Sequence, residues 1–237
     1  MKLVFLGRGA GFNPAEGSTS AYFTDKGEMF LIDSGESVFK AILKKKCLDS
    51  VTALNIFITH THTDHVGSLG TLILYASAVK KLPVNIIVDE NMGYLPGLRS
   101  LLEIYGLSKK MYRFAGVSAF TGKYSLFNSF RYVKTSHCRE LQSCGIIFET
   151  DRGVVFYSGD LHDPAPLLKV IKSRGRIDKI YIDSNNDDSP NPHHISIHRL
   201  NGLVPPELKP RVYCMHINNR SCMDDAKAYG FKVVSKI

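Results

Sequence analysis

Several features that mark other classes of protein are missing from this sequence of 237 residues. No apolar stretch approaches the roughly 20 residues of a membrane-spanning helix, and glycines soon interrupt the short apolar run after Lys2, so we expect neither a membrane protein nor a secreted one. The five cysteines include no C-x-x-C spacing, and their odd number leaves one thiol unpaired, which favours a reducing cytoplasm. No linker, low-complexity tract or short-period repeat divides the chain, so we expect one domain over residues 1–237.

Acidic side chains are comparatively few. There are 22 Asp and Glu against 30 Lys and Arg, which gives a formal net charge of +8. Such a surplus attracts phosphate-bearing molecules through its long-range field, but it does not distinguish a nucleotide from RNA. With 44% hydrophobic and 22% charged residues, the chain can bury a sizeable core, which excludes disordered and fibrous classes.

An alternation of strand and helix signals predicts the fold class. Short apolar and β-branched runs bounded by Gly, Asp and Ser indicate strands, and apolar residues three and four apart indicate amphipathic helices between them. The pattern predicts an α/β (α+β) fold in which sheets are covered by helices. We predict strands at 2–6, 21–24, 29–32, 54–59, 130–134, 145–149, 154–157, 179–182 and 212–215, and helices near 38–43, 69–76, 98–105, 165–172 and 223–229.

The strongest signal is the pattern His60-x-His62-x-Asp64-His65, which directly follows a predicted strand. With nine His in the chain, chance would place this pattern in roughly one sequence in a thousand. Imidazole and carboxylate are ligands that Zn²⁺ prefers, and a turn after a rigid strand aims several of them at one point. The alternation of His60 and His62 suits one ion, and Asp64 with His65 suits a neighbouring ion. The alternative is a polar turn with solvated histidines.

Three more residues follow predicted strand ends in the same way. His137, Asp160 and His216 each come just after a strand, where they can converge on the edge occupied by the histidine cluster. A carboxylate such as Asp160 can bridge two cations. For each of these residues taken alone, the alternative is an ordinary role in the core or on the surface. Together with the histidine cluster, the three become candidate ligands.

Taken in order, these motifs resemble those of the metallo-β-lactamase superfamily. The resemblance implies an αββα sandwich of two mixed β-sheets flanked by helices, with two divalent ions, Zn²⁺ or else Mn²⁺, at one edge. It implies His60, His62 and His137 at one ion, Asp64, His65 and His216 at the other, and Asp160 between them. The matching segments are Phe5-Leu6-Gly7-Arg8-Gly9, Leu31-Ile32-Asp33-Ser34-Gly35, Thr59 to His65, His137, Ser158-Gly159-Asp160 and His216.

Within that superfamily, the loop Asn191-Pro192-His193-His194-Ile195-Ser196 resembles a segment of the RNase Z-like phosphodiesterases. His194 best matches the histidine of that segment, with His193 as the alternative by one position and a helix cap by Ser196 as the non-catalytic alternative. Asp33 is expected behind the site, where it accepts an N–H from a ligand histidine; the alternative is simple turn formation.

The resemblance implies phosphodiester hydrolysis. A hydroxide between the two ions would attack phosphorus, Asp64 would orient or deprotonate the water, and His194 would donate a proton to the leaving oxygen. The small size, and the absence of a long arm between Asp160 and His194, resemble anti-Pycsar enzymes, which implies a 3′,5′-cyclic nucleotide substrate, a homodimer and, for a phage protein, the host cytoplasm. An RNase Z-type tRNA 3′-processing endonuclease is the alternative enzyme, so RNA remains a possible partner. A non-catalytic nucleotide- or nucleic-acid-binding protein is the alternative of another class.

Overall fold

The first of two mixed sheets is built from the first half of the chain. The structure is a computed structural model, and it describes residues 1–89, 91–173, 175–189 and 193–237. The sheet has six strands in sequential order; the first three are antiparallel, and the third to the sixth run parallel. The strands are β1 (Val4–Gly7), β2 (Ser20–Asp25), β3 (Glu28–Ile32), β4 (Ala53–Phe57), β5 (Val84–Val88) and β6 (Arg113–Gly116).

The second sheet repeats this scheme with the second half of the described chain. Its order is the reverse of the sequence, from the twelfth strand to the seventh, and it again combines an antiparallel part with a parallel part. The strands are β7 (Ser129–Thr135), β8 (Ser143–Thr150), β9 (Gly153–Tyr157), β10 (Ile177–Asp183), β11 (Val212–Met215) and β12 (Lys232–Val233).

Helices cover the outer faces of the two sheets. Pro206–Arg211 and Val117–Ala119 are short 3₁₀ turns, and a π-helical turn at Tyr75–Val79 continues the third helix. None of the helices in the described ranges combines the length and the apolar character needed to cross a bilayer. The α-helices are α1 (Val38–Lys45), α2 (Thr63–Val66), α3 (Leu69–Leu74), α4 (Leu95–Ile104), α5 (Ala165–Lys172), α6 (Ile197–Leu203) and α7 (Arg220–Ala228).

The main core lies between the sheets. Phe57 of the first sheet packs against Phe130 and Phe148 of the second, with ring centroids 5.0 and 5.6 Å apart and rings nearly perpendicular. Edge-to-face packing of this kind is the preferred geometry for buried aromatic pairs. A second cluster on the outer face of the second sheet includes Leu167 of α5 and Leu200 of α6. The layers therefore follow the order helix, sheet, sheet, helix, which confirms the predicted αββα sandwich.

The structure differs from the predicted elements in three strands and at the site. The predictions did not include β5, β6 and β12, because a fully buried strand shows no alternation and a four- or two-residue edge strand is too short to produce a periodic signal. The strand predicted to reach Thr59 ends at Phe57. The last two residues of the predicted strand, Ile58 and Thr59, lie outside β4 and begin the loop that carries the histidine cluster.

Candidate metal centre

Topology brings the predicted ligands to one edge. β3 and β4 run parallel, and β7, β9, β10 and β11 share one direction in the other sheet. Because strands that share a direction end at the same edge of a sheet, the residues just after them meet there. Asp33, the histidine cluster, His137, Asp160 and His216 all follow these strand ends.

Three of the turns at this edge adopt left-handed backbone. Asp33, Gly159 and His216 have φ of 62°, 58° and 55°. A Cβ at Gly159 would lie 2.4 Å from the carbonyl oxygen of Cys144, so only glycine fits in front of Asp160. Positive φ costs free energy in Asp and His, and such strain persists where the surroundings enforce it, often at functional sites. The turns reverse the chain directly after each strand.

The first group of nitrogens belongs to three histidines. Nε2 of His60 lies 3.1 Å from Nδ1 of His62, and Nε2 of His137 lies 3.3 Å from the same Nδ1. Three imidazole nitrogens this close, with His60 and His137 buried, match a three-nitrogen site for one cation. The structure therefore brings these three predicted ligands together.

The second group combines carboxylates with histidines. Nε2 of His65 lies 3.4 Å from Oδ2 of Asp64 and 3.3 Å from Oδ1 of Asp160. Nε2 of His216 lies 3.2 Å from Oδ2 of Asp64 and 3.4 Å from Oδ2 of Asp160. Asp160 also faces the first group, because its Oδ2 lies 3.7 Å from Nε2 of both His60 and His137. It thus lies between the two groups, as the resemblance implies for a bridging carboxylate.

Divalent cations fit these residues. Nε2 of His65 is buried and has no hydrogen-bond partner among the described residues, an expensive state for a polar atom unless a ligand satisfies it. Asp160 is 2% exposed, and a carboxylate buried this deeply needs compensating positive charge. The donor set of imidazole nitrogens and carboxylate oxygens suits Zn²⁺ and Mn²⁺. His60, His62 and His137 would hold one ion, and Asp64, His65 and His216 the other, with Asp160 shared.

Asp33 orients His65 from behind. Its Oδ2 lies 2.9 Å from Nδ1 of His65, and the carboxylate accepts hydrogen bonds from the backbone N–H and the hydroxyl of Thr59, at 2.8 and 2.7 Å. An acceptor at Nδ1 places the proton there and leaves Nε2 free to ligate. Asp33 thus lies within hydrogen-bonding distance of a candidate ligand histidine, as expected for a supporting residue, and its positive φ also places it in the turn that was the alternative.

The electrostatics of the metal-free site follow from burial and mutual contact. Burial lowers the pKa of His60 and of His137. Burial disfavours the protonated form of His65 and His216, but the negative charges of the neighbouring carboxylates have the larger effect. The pKa of His65 therefore rises, and that of His216 rises to about 10. Burial would raise the pKa of Asp160, yet the surrounding imidazoles hold it well below its usual range. The carboxylate is therefore kept ionised, as a ligand must be.

The side chain of His194 is packed beside this centre, whereas the side chain of His193 is exposed. Nδ1 of His194 lies 4.0 Å from Oδ2 of Asp160, and its ring centroid is 4.7 Å from that of His137. His193 is exposed and contributes its backbone carbonyl, which accepts from Nδ1 of His137 at 2.8 Å. Ser196 caps α6, because its hydroxyl accepts from the backbone N–H groups of the first turn. The helix cap at Ser196 and the side chain of His194 are thus separate features of one loop. Asn191 and Pro192, at the start of that loop, lie outside the described residues.

The sequence predictions missed Asp183. This residue is fully buried at the end of β10, and its Oδ2 lies 2.7 Å from Nδ1 of His194 and accepts the backbone N–H of Leu161 at 3.0 Å. Its Oδ1 lies 3.3 Å from Nδ1 of His216. The signal was present, because Asp183 follows an apolar strand as the other candidates do. Burial lowers the pKa of His194, but the Asp183 charge outweighs this effect and raises the pKa.

One family model matches nearly the whole chain, and curated relatives match about a third of it. The family described as "Anti-Pycsar protein Apyc1" matches residues 1–236. Ribonuclease Z of Methanococcus maripaludis is 41% identical over 90 residues, which are 36% of this chain and 28% of that protein. Ribonuclease Z of Treponema pallidum is 34% identical over 89 residues, 37% of this chain and 28% of that protein. The chain thus spans little more than a quarter of the length of these relatives.

Solved structures share the fold at low identity. The metallo-β-lactamase fold protein YhfI from Bacillus subtilis has a TM-score of 0.72 and 15% identity, and the match covers 96% of this chain and 90% of that one. The short form of human tRNase Z has a TM-score of 0.67 and 18% identity, with 100% and 96% covered. A diphosphatase from the PhnP family has a TM-score of 0.68 and 16% identity, with 99% and 94% covered. These likenesses show a metallo-β-lactamase fold.

Proposed function

Because the chain belongs to the anti-Pycsar protein Apyc1 family, we propose that it is a metal-dependent phosphodiesterase that hydrolyses 3′,5′-cyclic nucleotides to linear monophosphates. Membership of this family and the shared fold support the prediction of a metal-dependent hydrolase. The observation that carries the proposal is the convergence of two ligand groups on Asp160, with a third group, which contains His194, directly beside them. In this proposal two copies form a homodimer in the cytoplasm and degrade a cyclic nucleotide signal.

Two bound divalent ions would lower the pKa of water and compensate the negative charge that develops on the phosphoryl oxygens. The protein's part is to fix the ligand geometry and to hold the phosphodiester in front of it. The net charge of +8 favours approach of an anionic substrate. The two carboxylates at the centre, Asp64 and Asp160, differ in burial, and this difference suggests a different role for each.

Asp64 is the more accessible of these carboxylates. Its side chain is 14% exposed, against 3% for that of Asp160. A carboxylate that ligates on one side and reaches the opening on the other can accept a hydrogen bond from the attacking water and orient it towards phosphorus. Asp64 therefore combines a ligand role with the positioning of the nucleophile.

His194 is suited to protonate the leaving oxygen. Its side chain is 22% exposed, so it reaches both solvent and the buried centre. Asp183 engages Nδ1, which leaves Nε2 as the nitrogen that faces a substrate. The neighbouring carboxylate stabilises the imidazolium, and a protonated imidazole is the appropriate donor to an oxygen that departs with negative charge.

A tRNA 3′-processing endonuclease is the second candidate, because the curated relatives above are named ribonuclease Z. Between Asp160 and His194, the described residues contain only α5, β10 and short connections. A large RNA would therefore find no extended arm in this segment to hold its body, and the small cyclic substrate is the better fit.

One assay separates the candidates. We would incubate the protein, loaded with Zn²⁺ or Mn²⁺, with cyclic CMP, UMP, AMP and GMP and with a precursor tRNA, and identify products by chromatography and mass spectrometry. The proposal expects linear monophosphates that disappear when a chelator is present. Cleavage of the tRNA alone would favour the endonuclease. Recovery of unchanged cyclic nucleotide from the denatured protein would show a binding protein instead of an enzyme.

A further inference from the structure

Phe12 is the most exposed large apolar side chain among the described residues. It is fully solvated, with an exposed fraction of 104%, whereas most aromatic rings of the chain pack in the core. Single exposed apolar residues are common on protein surfaces and need no explanation by themselves. What distinguishes Phe12 is the rigidity of the turn that carries it and the position of that turn.

The turn is fixed by hydrogen bonds to Ile217, the residue after the candidate ligand His216. The backbone N–H of Ala10 and the side-chain amide of Asn13 both donate to the carbonyl oxygen of Ile217, at 3.1 and 2.9 Å. Asn13 also closes the turn by donating its backbone N–H to the carbonyl of Ala10 at 2.9 Å. Ile217 directly follows His216. Phe12 therefore projects from an anchored turn, and its exposure does not come from a loose loop.

The same turn touches the candidate centre. A Cβ built on Gly11 would lie 3.1 Å from Oδ2 of Asp64, so the backbone next to Phe12 lies close to a candidate ligand of the second group. Consecutive Cα atoms are about 3.8 Å apart, so the backbone of Phe12 also lies near the rim of the site. A side chain at position 11 would require Asp64 to shift by a few tenths of an ångström, so glycine allows the turn to lie this close to the centre.

We propose that Phe12 stacks on the base of a nucleotide whose phosphate occupies the metal centre. The inference rests on the proposed function and specifies how the same site recognises its substrate. A base lies one sugar away from its phosphate, which matches an aromatic ring at the rim of a phosphate site. Stacking on an aromatic ring tolerates every base, since each has a π-face, so Phe12 provides affinity for nucleotides with little preference among them.

Two tyrosines, Tyr94 and Tyr112, are too deeply buried to stack on a substrate base. Tyr94 and Tyr112 are 5% and 8% exposed. The hydroxyl of Tyr94 donates to the carbonyl of Ile58 at 2.6 Å, and this residue belongs to the core. Phe12, by contrast, is fully exposed and directly follows Gly11, which lies close to Asp64.

The absence of tryptophan from the sequence provides a direct test of binding. Phe12→Trp introduces a single fluorophore at the rim, and we expect linear nucleoside monophosphates to quench its emission while ribose 5-phosphate, which has no base, does not. Val79→Trp is the matched control. Val79 is 62% exposed and precedes Lys80. Lys80 forms an ion pair with Asp49, which lies just before the start of β4. Val79 is therefore near the end of the first sheet that is opposite to the site. Its emission should not respond to any of these ligands.

Kinetics give a second test. Phe12→Ala should raise KM for all four cyclic nucleotides by about tenfold with little change in kcat, and Phe12→Tyr should restore the wild-type KM. An unchanged KM in Phe12→Ala, or equal quenching by ribose 5-phosphate, would overturn the inference. So would an emission of Phe12→Trp that is already blue-shifted without ligand, because another protein surface would then cover this position.

The two proposals fail in different ways. If the wild-type protein does not hydrolyse any cyclic nucleotide, the proposed function fails, while base-dependent quenching of Phe12→Trp by nucleoside monophosphates would still support stacking. If hydrolysis is observed and Phe12→Ala has the wild-type KM, the function stands and the role of Phe12 is refuted.

Discussion

Oδ2 of Asp183 lies 2.7 Å from Nδ1 of His194, and the other oxygen of the same carboxylate lies 3.3 Å from Nδ1 of His216. One buried carboxylate therefore supports both a candidate ligand and the candidate proton donor. The two functions can be separated experimentally, because His194 itself lies outside the two groups assigned to the ions.

His194→Ala should slow turnover while leaving the metal content close to two ions per chain. Loss of a general acid typically reduces the rate by about 10²- to 10⁴-fold. Metal content by mass spectrometry and kcat on a cyclic nucleotide are the two measurements. A variant that emptied of metal would show that His194 is a ligand and would refute its role as proton donor.

Asp183→Asn should act on turnover largely through His194. If so, the double variant Asp183→Asn/His194→Ala should be scarcely slower than His194→Ala alone, since the residues work as a unit and their effects do not add. Rates would be compared at saturating metal, so that weaker ligation by His216 does not contribute. Fully additive losses would mean that Asp183 acts mainly on the metal site.

Asp160→Ala should abolish turnover and release both ions, because its carboxylate faces both ligand groups and is 2% exposed. We expect Asp64→Ala to abolish turnover as well. Asp163→Ala, in an exposed position near the same strand end, is the control and should keep both metal and activity. Metal retained in full by Asp160→Ala would contradict the assignment of a bridging ligand.

Asp33→Asn should weaken metal binding about 10- to 100-fold, since an amide orients His65 less well and does not increase its basicity. Competition with a chromophoric chelator measures this affinity. Because Asp33 is fully buried, the melting temperature of the metal-free variant is measured as well, so that a fold defect is distinguished from a ligand defect. Asp49→Asn, which alters a surface pair with Lys80, is the control; equal affinities in the two variants would exclude a role for Asp33.

Glu16 links the turn of Phe12 to the end of the chain. The Arg8 guanidinium, 2.7 Å away, and the Lys236 ammonium hold the pKa of the Glu16 carboxyl below its usual value. A lowered folded-state pKa stabilises the protein above the unfolded pKa, and this stabilisation disappears as the pH falls through the folded pKa.

Glu16→Gln should therefore lower the free energy of unfolding by up to about 1 kcal/mol at pH 7, as expected for a partly exposed ion pair. The difference from wild type should shrink as the pH falls from about 4.3, the usual Glu value, and disappear once the pH is below the lowered folded-state pKa, where the carboxyl of the wild type is protonated too. Denaturant titrations at pH 7 and at a series of acidic pH values measure it. The exposed Glu207, which makes no ion pair among the described residues, provides the control Glu207→Gln; a pH-independent difference for Glu16→Gln would refute the electrostatic cause.

How much the sequence predicts depends on how local each signal is. The cluster from His60 to His65 is recognisable because its members lie within six positions, and His137 and His216 because each follows an apolar strand. Asp183 follows a strand too, but a single Asp after a strand is common, and only its contact with His194 distinguishes it.

Other features emerge only from tertiary structure. Phe12 has no sequence signal at all, since nothing in the residues around it predicts full exposure or contact of its turn with Asp64. The position of β6, at the edge of the first sheet, likewise depends on pairing with β5 and not on the pattern of its four residues. Long-range pairing of this kind carries no local periodicity.

The candidate centre draws on both sheets, with His60, His62, Asp64 and His65 from one and His137, Asp160 and His216 from the other. A nascent chain that has completed only its first sheet presents histidines that face solvent, with no opposing carboxylate to close a cage. Ions held by both groups would therefore bind fully only after the second sheet has formed, and they would stabilise the packing of the two sheets against each other.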